Sequence, residues 1–339
     1  MKKTNLTGLT ADEIEKFVVS LGEKRFRAKQ LYSWIYTRLA TQFDEMTNLS
    51  KDFRARLNEV ATIATLEKVK SIRSSESNTQ KFLFKLNDGA QIESVFIPEP
   101  RRKTVCLSSQ VGCALGCQFC ATATLGFKRD LKRREIIAQL MAIMREVDED
   151  ITNVVFMGMG EPFLNYDEVI AACRLMNHPD GLAVGNRRIV ISTCGIVPAI
   201  RRFADENQPF KLAISLNAPT DELRNRIMPI NKKYPLSTLI SAARYYSLKA
   251  RFRVTFEYVL IAGVNDSVQD ARMLRKLLSG FPCKINLIPL NPFSPDWKRP
   301  SEDQVNRFAA EFYDMHAVVS VRWSRGADIQ AACGQLAAK

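Results

Sequence analysis

From Thr104 onward the chain alternates short β-branched or apolar runs with segments of helical character, and this alternation limits the fold more than any other feature. The runs are "TVCLS", "NVVFMG", "RRIVIST", "KLAISLN", "FRVTFEYVL", "CKINLIPL" and "AVVSVRW", and between most of them lie segments such as "RREIIAQLMAIMREV" and "VQDARMLRKLLSG". Strand–helix alternation of this kind implies an α/β fold: a parallel sheet with helices outside it, open or closed into a barrel. In such folds the chemistry collects at the C-terminal ends of the strands. The unusual residues sit there: Gly158, Gly160 and Glu161; Ser192; Ser215 and Asn217; Asn291.

The N-terminal part reads differently. Residues 1–60 have helical patterning: "TADEIEKFVVSLG" opens with Thr10 as a cap and Glu13 three positions on, then closes at Gly22. "FRAKQLYSWIYTRL" follows, with Leu31, Trp34, Ile35 and Leu39 at helical spacing. "QKFLFKLNDGAQIESVFIPE" alternates as two strands turned at Asn87-Asp88-Gly89. With 339 residues the chain can hold one large domain and an accessory piece. The expected division is a helical accessory unit over 1–75, a β-hairpin and linker over 76–103 carrying Glu93, and the α/β unit over 104–339. "IPLNPFSPDWKRP" is a Pro-rich loop.

A composition of 46% hydrophobic and 25% charged residues is that of a soluble globular protein, and no run approaches a membrane span. "MKKTNLTGLTADEIEK" has no apolar segment behind its lysines, so the expected location is the cytoplasm, where eight cysteines stay reduced or act as ligands and reactants. Net charge is +13, with clumps at Lys24, Arg25, Arg27 and Lys29, at Arg101, Arg102 and Lys103, and at Lys128, Arg129, Lys132, Arg133 and Arg134. Each clump alone suits a solvated surface; their sum points to a polyanion, most naturally nucleic acid.

"VCLSSQVGCALGCQFC" places Cys106, Cys113, Cys117 and Cys120 in fifteen positions. The last three have C-x3-C-x2-C spacing. Structural zinc needs four closed ligands, and ferredoxin-type clusters take four thiolates. Here there is no second pair at such spacing, and the two histidines, His178 and His316, stand alone. Three thiolates on one loop suit a four-iron four-sulfur cluster with one iron open to a small molecule. A lone Cys106 would ordinarily be a small buried hydrophobe.

C-x3-C-x2-C with Phe119 before the last cysteine resembles the signature of radical S-adenosylmethionine (SAM) enzymes, and "GMGEP" at 158–162 resembles their glycine-rich strand end. Together with "SSQVGCALGCQFC", "IMPINKKYPL", "CKINLIPLNPF" and "RGADIQAACGQL", these motifs resemble the RlmN/Cfr family of radical SAM 23S rRNA adenine methyltransferases, from about residue 10 to the end. "INLIPLNPF" and "LAISLNAP" resemble the branch that methylates adenine C2 more than the one that methylates C8.

The resemblance implies a partial (β/α)6 TIM-like barrel, a 4Fe-4S cluster on Cys113, Cys117 and Cys120, and two SAM molecules per turnover. One SAM methylates Cys333; the other yields a 5′-deoxyadenosyl radical that activates that methyl for addition to adenine. Cys106 then attacks Cys333 as the resolving thiol, forming a disulfide, and Glu93 takes the ring proton; from sequence alone Glu93 is an ordinary exposed strand carboxylate. SAM contacts are implied at Gly160, Glu161, Ser192, Ser215, Leu216, Asn217 and Asn291. Position 217 departs from relatives with His in "SLHAP": Asn keeps a donor and an acceptor but does not titrate. Cys173 and Cys283 read as structural, and Cys194 receives no role. Implied partners are 23S rRNA, with a tRNA adenosine as a further substrate in some members, and a reducing protein such as flavodoxin; the enzyme is expected to act as a monomer without a membrane. The competing readings are a zinc-containing RNA-binding protein, which leaves Cys106 and Cys333 without purpose, and a radical SAM enzyme for a small molecule.

Overall fold

The computed structural model describes residues 3–147, 149–280, 282–315 and 317–337, so His316 lies outside the described residues. Three helices build the N-terminal unit: α1 (Ala11–Ser20), α2 (Phe26–Tyr36) and α3 (Lys51–Val60). α1 starts where its sequence dictates, because the Thr10 hydroxyl accepts from Glu13 N–H while the Glu13 carboxylate accepts from Thr10 N–H. Thr4–Asn5 pairs in parallel with Ala61–Thr62 and closes the unit on itself. The buried Tyr36 hydroxyl donates to the Leu9 carbonyl (2.8 Å) and accepts from Gly8 N–H (2.9 Å). Arg133 pairs with Glu13 at 2.9 Å and Arg145 donates to the Leu39 carbonyl at 2.8 Å, docking the unit on the first helix of the α/β part.

Ten strands form one continuous sheet: β1 (Glu67–Arg73), β2 (Gln80–Lys85), β3 (Gln91–Glu99), β4 (Arg102–Cys106), β5 (Asn153–Phe156), β6 (Ile189–Thr193), β7 (Lys211–Ser215), β8 (Thr255–Leu260), β9 (Lys284–Pro289) and β10 (Val318–Val321). Their spatial order is their order in the chain. β1 to β4 are antiparallel neighbours, and every pair from β4/β5 to β9/β10 is parallel. Each parallel crossover carries helix: α4 (Arg133–Glu146), α5 (Tyr166–Met176), α6 (Val197–Asp205), α7 (Asp221–Ile227) with α8 (Leu236–Lys249), α9 (Val268–Leu278) and α10 (Glu302–Ala310). This gives six β/α repeats and one further strand. β1 and β10 form the two edges, so the sheet stays open as a partial barrel. The middle of β7, covered on both faces, is apolar: Leu212, Ala213 and Ile214 all have no exposure. α4 turns Ile136, Ile137, Leu140, Met141 and Ile143 onto the sheet.

One expectation is corrected. Within the 1–75 stretch read as helical, Glu67–Arg73 is a strand, paired antiparallel with Gln80–Lys85. Its residues "EKVKSIR" are exposed but for the half-buried Ile72. A charged strand at a sheet edge shows no apolar alternation, and its lysines protect that edge from pairing with other chains. Among the described residues no helix is long and apolar enough to cross a membrane.

Candidate active site

The C-terminal ends of the parallel strands surround a cleft with about 970 Å³ of empty space, part of it open to solvent. Cys113, Cys117 and Cys120 line one side; Gly160, Glu161, Ser192, Ser215, Asn217, Asn291 and Cys333 line the rest. Ten residues singled out from sequence thus converge on one space. Cys106, Glu93 and Leu216 do not line it.

The cysteine loop hangs from β4 between the arms of a small ribbon, Gln110–Gly112 paired with Phe127–Asp130. The ribbon needs a glycine at 112: a Cβ there would fall 1.8 Å from the Gly126 carbonyl oxygen. Cys113 N–H donates to the Gly126 carbonyl (2.9 Å) and Cys120 N–H to the Cys117 carbonyl (3.2 Å). Burial pushes the Cys113 thiol up to about 12, with Cys117, Glu161 and Cys120 adding repulsion, and burial likewise raises Cys120. Such thiols ionise only around a cationic group. Among the described residues no three His, Cys, Asp or Glu side chains converge on one point as the ligands of a single ion do. Three thiols on the wall of a cleft, Cys117 buried and Cys113 and Cys120 half-buried, fit a cluster that takes one thiolate per iron. Cys194, unassigned from sequence, is the surprise of this wall. A hydrogen bond with Cys117 is the chief cause of a thiol held well above its ordinary range, followed by burial and the charges of Cys117, Glu161 and Cys113.

Beside this wall, Glu161 is 1% exposed. Its carboxylate accepts from Cys194 N–H (2.7 Å) and Phe163 N–H (2.9 Å), and its own N–H donates to Gln110 Oε1 (2.8 Å). Burial raises the carboxyl, and these donors partly offset it. Gly160 has φ +101, and a Cβ would lie 2.6 Å from Gln110 Cβ; only glycine permits this approach. A buried carboxylate behind a bare backbone suits a small ammonium group.

The β6 and β7 ends are joined by Arg224, a fully buried residue the sequence did not single out. Its Nη2 donates to the carbonyls of Cys194 (2.7 Å) and Ser215 (3.0 Å), its Nε to Leu216 (2.9 Å) and its Nη1 to Asn231 Oδ1 (3.0 Å). Leu216 therefore supports the site from the core and presents no side chain to the cleft. Asn217 adopts φ +58, a conformation Asn tolerates. Its Oδ1 accepts from Val259 N–H at 2.8 Å and its Nδ2 faces Met228 Sδ at 3.2 Å, so its amide is engaged within the protein.

Cys333 lies on the cleft wall, accessible to the cleft yet surrounded by protein. Burial pushes its thiol up to about 11; Glu257 adds to this and Arg322 opposes it. Glu257, also missed from sequence, lines the cleft and accepts from Asn286 Nδ2 at 2.8 Å. Cys106 is buried at the end of β4; its thiol is raised by burial first and then by Cys333. The Cys333 segment is pinned: Ala121 N–H donates to the Gly334 carbonyl (2.7 Å), Thr122 Oγ1 to the Leu336 carbonyl (2.7 Å) and Gln335 Nε2 to the Pro292 carbonyl (3.0 Å). Asn291 bonds Ser324 Oγ at 2.7 Å and accepts from Arg299 at 2.6 Å.

Glu93 overturns the exposed-strand reading, being 1% exposed. It pairs with Lys81 at 3.0 Å and accepts from Ala337 N–H at 2.8 Å, four residues beyond Cys333. Of the basic run beside the cysteine loop, Arg129 is committed to Glu135 (2.8 Å) and Asp88 (2.6 Å), and Arg133 to Glu13.

Residues 4–63 match the ribosomal RNA large subunit methyltransferase N-terminal domain, and residues 107–274 the radical SAM superfamily. The dual-specificity RNA methyltransferase RlmN of Geobacter sulfurreducens is 49% identical, over 99% of this chain and 92% of that protein. That of Pelobacter propionicus is 48% identical, over 100% and 97%. The crystal structure of a radical SAM methyltransferase from Sphaerobacter thermophilus superposes with a TM-score of 0.95 at 45% identity, covering 99% of this chain and 100% of that one. Near-half identity along the full length, on a matching fold, places the chain in the RlmN family of radical SAM RNA methyltransferases.

Proposed function

We propose that this enzyme methylates C2 of an adenosine in 23S rRNA, and a tRNA adenosine as well, by way of a methyl group carried on Cys333. Supporting this is the placement of two further thiols near the loop cysteines: Cys333 lines the same cleft, and the thiol of Cys106, buried at the end of β4, is raised by burial and then by Cys333. Cys113, Cys117 and Cys120 would hold a 4Fe-4S cluster, which when bound supplies the electron that splits SAM. Glu161 and the backbone at Gly160 would take the SAM amino group; Ser192, Ser215 and Asn291 offer polar contacts, with Leu216 and Asn217 shaping the strand end behind them. Two SAM molecules are consumed per turnover, one as methyl donor and one as radical source.

Adenine C2 is neither nucleophilic nor acidic, so direct displacement by SAM fails there. Cys333 sulfur would accept the methyl of one SAM; that methyl would lose a hydrogen atom to the radical drawn from the second SAM, and its carbon would bond to C2, the adduct then giving up one electron. Glu93 receives the ring proton, which requires its present contacts with Lys81 and Ala337 to loosen. Cys106 thiolate then attacks Cys333 sulfur; the carbon–sulfur bond breaks, the methylated base leaves, and a disulfide remains. The target base must leave its stack to reach Cys333. Residues 1–75 act as the RNA-binding accessory and 76–103 as the linker carrying Glu93. The protein works as a cytoplasmic monomer, reduced by a small protein of flavodoxin type.

The test uses anaerobically reconstituted enzyme, SAM, reductant and an unmodified 23S RNA fragment, with nucleosides read by mass spectrometry. 2-Methyladenosine from wild type and none from Cys333→Ala is the expected result. 8-Methyladenosine would move the enzyme to the C8 branch, and no methyl transfer by cluster-loaded protein to 23S or tRNA fragments would refute the substrate assignment.

A further inference from the structure

The end of the sheet opposite the cleft carries an unexplained concentration of positive charge. β7 opens with Lys211 and β9 with Lys284; Arg187 and Arg188 form the turn that enters β6, and Arg253 precedes β8. Register sets them side by side: Lys211 is opposite Val190, two positions beyond Arg188, and Thr255 lies between Ala213 and Lys284 on its two neighbours. Adjacent strands are about 4.8 Å apart, so the row from β6 to β9 spreads over roughly 14 Å. Arg187, Arg188, Arg253 and Lys284 are exposed and Lys211 is half-buried.

These cations have no carboxylate partners among the described residues, and several of the nearby acids are already matched elsewhere. Asp205 pairs with Lys249 and Glu206 with Arg202 ahead of β7, and Glu149 pairs with Lys103 beside β4. At the start of β4, Arg102 likewise has a partner, Glu99 at 2.9 Å. The charges converge. After burial, it is Lys284, Arg187, Arg102 and Arg188 that hold the Lys211 ammonium below the usual lysine range. A folded protein gains nothing internally from assembling like charges at one face; an external anion removes the repulsion.

We propose that this N-terminal rim of the sheet is a second RNA-binding surface, taking the phosphate backbone of the substrate at a distance from the target adenosine. The proposal rests on the reading that the substrate is a large RNA. Parallel strands of this length set the rim about 15–20 Å from the cleft, a span a folded RNA covers while its target base sits at Cys333. An acidic electron donor fits the rim poorly, because electron transfer falls steeply with distance and the cluster cysteines are at the other end of the strands. Backbone contacts carry no sequence information, so the surface adds affinity and orientation without selecting the base.

The experiment compares cluster-loaded full-length wild type with a variant carrying Arg187→Gln, Arg188→Gln, Lys211→Gln, Arg253→Gln and Lys284→Gln. A second variant, Arg187→Glu with Arg188→Glu, leaves half-buried Lys211 in place. Binding of the unmodified 23S fragment is measured across salt concentrations, with methyl transfer on the same samples. At least tenfold weaker binding is expected, with the log–log salt slope reduced by about 0.7–0.9 for every phosphate no longer neutralised and KM for RNA rising far more than kcat falls. Unchanged affinity and slope in both variants, while wild type methylates the fragment, overturns the surface and leaves the function standing. Slower cluster reduction by an acidic donor with unaltered RNA binding would assign the rim to that protein and overturn the proposal. If wild type neither binds nor methylates RNA, the functional reading fails and the proposal with it.

Discussion

Replacing Arg224 with alanine should uncouple the two strand ends that line the side of the cleft proposed to take SAM. The side chain has no exposure and donates to three backbone carbonyls and Asn231. The Leu216 carbonyl keeps a second donor in Ala218 N–H, but those of Cys194 and Ser215 lose the guanidinium. Each buried acceptor stripped of its partner costs about 1–3 kcal/mol, and the vacated volume adds a cavity cost of about 2 kcal/mol or more. Against this, removing the guanidinium relieves its own burial, which already holds its proton affinity below the ordinary arginine range. The net expectation is a loss of about 3–5 kcal/mol, a large share of the ~5–15 kcal/mol by which domains are stable. Arg224→Lys, which reaches fewer of the four acceptors, should lose about half as much. Anaerobic urea unfolding of cluster-loaded protein measures the first quantity and SAM titration the second, where Arg224→Ala should weaken binding at least tenfold. A loss under 1 kcal/mol with unchanged SAM affinity would refute the clamp.

Gly160→Ala should abolish SAM binding with little loss of cluster iron, because its methyl collides with Gln110 at 2.6 Å and φ +101 is strained for any side chain; retained binding would show that the strand end yields. Iodoacetamide labelling of Cys333 should climb about tenfold per pH unit from 7 towards 10, as thiolate grows below a thiol pushed up to about 11. Glu257→Gln removes a negative neighbour and should shift that profile to lower pH; an identical profile would show that the two groups do not interact. Lys81→Met should cost about 3–5 kcal/mol by removing the cation paired with the buried Glu93 carboxylate, and adding Glu93→Gln should recover part of it, as read from denaturation midpoints.

Short-range features were readable from sequence. The Thr10–Glu13 box, the hairpin turned at Asn87-Asp88-Gly89 and the strand–helix alternation each depend on residues within a few positions of one another, and all are present. So were the loop cysteines and Gly160–Glu161, whose spacing is local. What stayed hidden depends on distant partners. Glu93 reads as an exposed carboxylate until the neighbouring strand brings Lys81 to it and the chain's end brings Ala337, 244 positions away. Arg224 stands in the charged run "DELRNRI", where nothing distinguishes a core clamp from a surface arginine, and Cys194 gains its setting only by meeting Cys117. Glu67–Arg73 was missed for the opposite reason: an exposed edge strand has no buried face to write a period-two pattern.

The central claim is the division of labour between Cys333 as methyl carrier and Cys106 as resolving thiol. Its most direct test is Cys106→Ala enzyme given SAM, reductant and the RNA fragment, then denatured, digested and examined for nucleotide-bearing peptides. The account predicts an adenosine joined through one carbon to the peptide containing Cys333, with free methyladenosine absent. Free methyladenosine at the wild-type rate, with no adduct on Cys333, would contradict it.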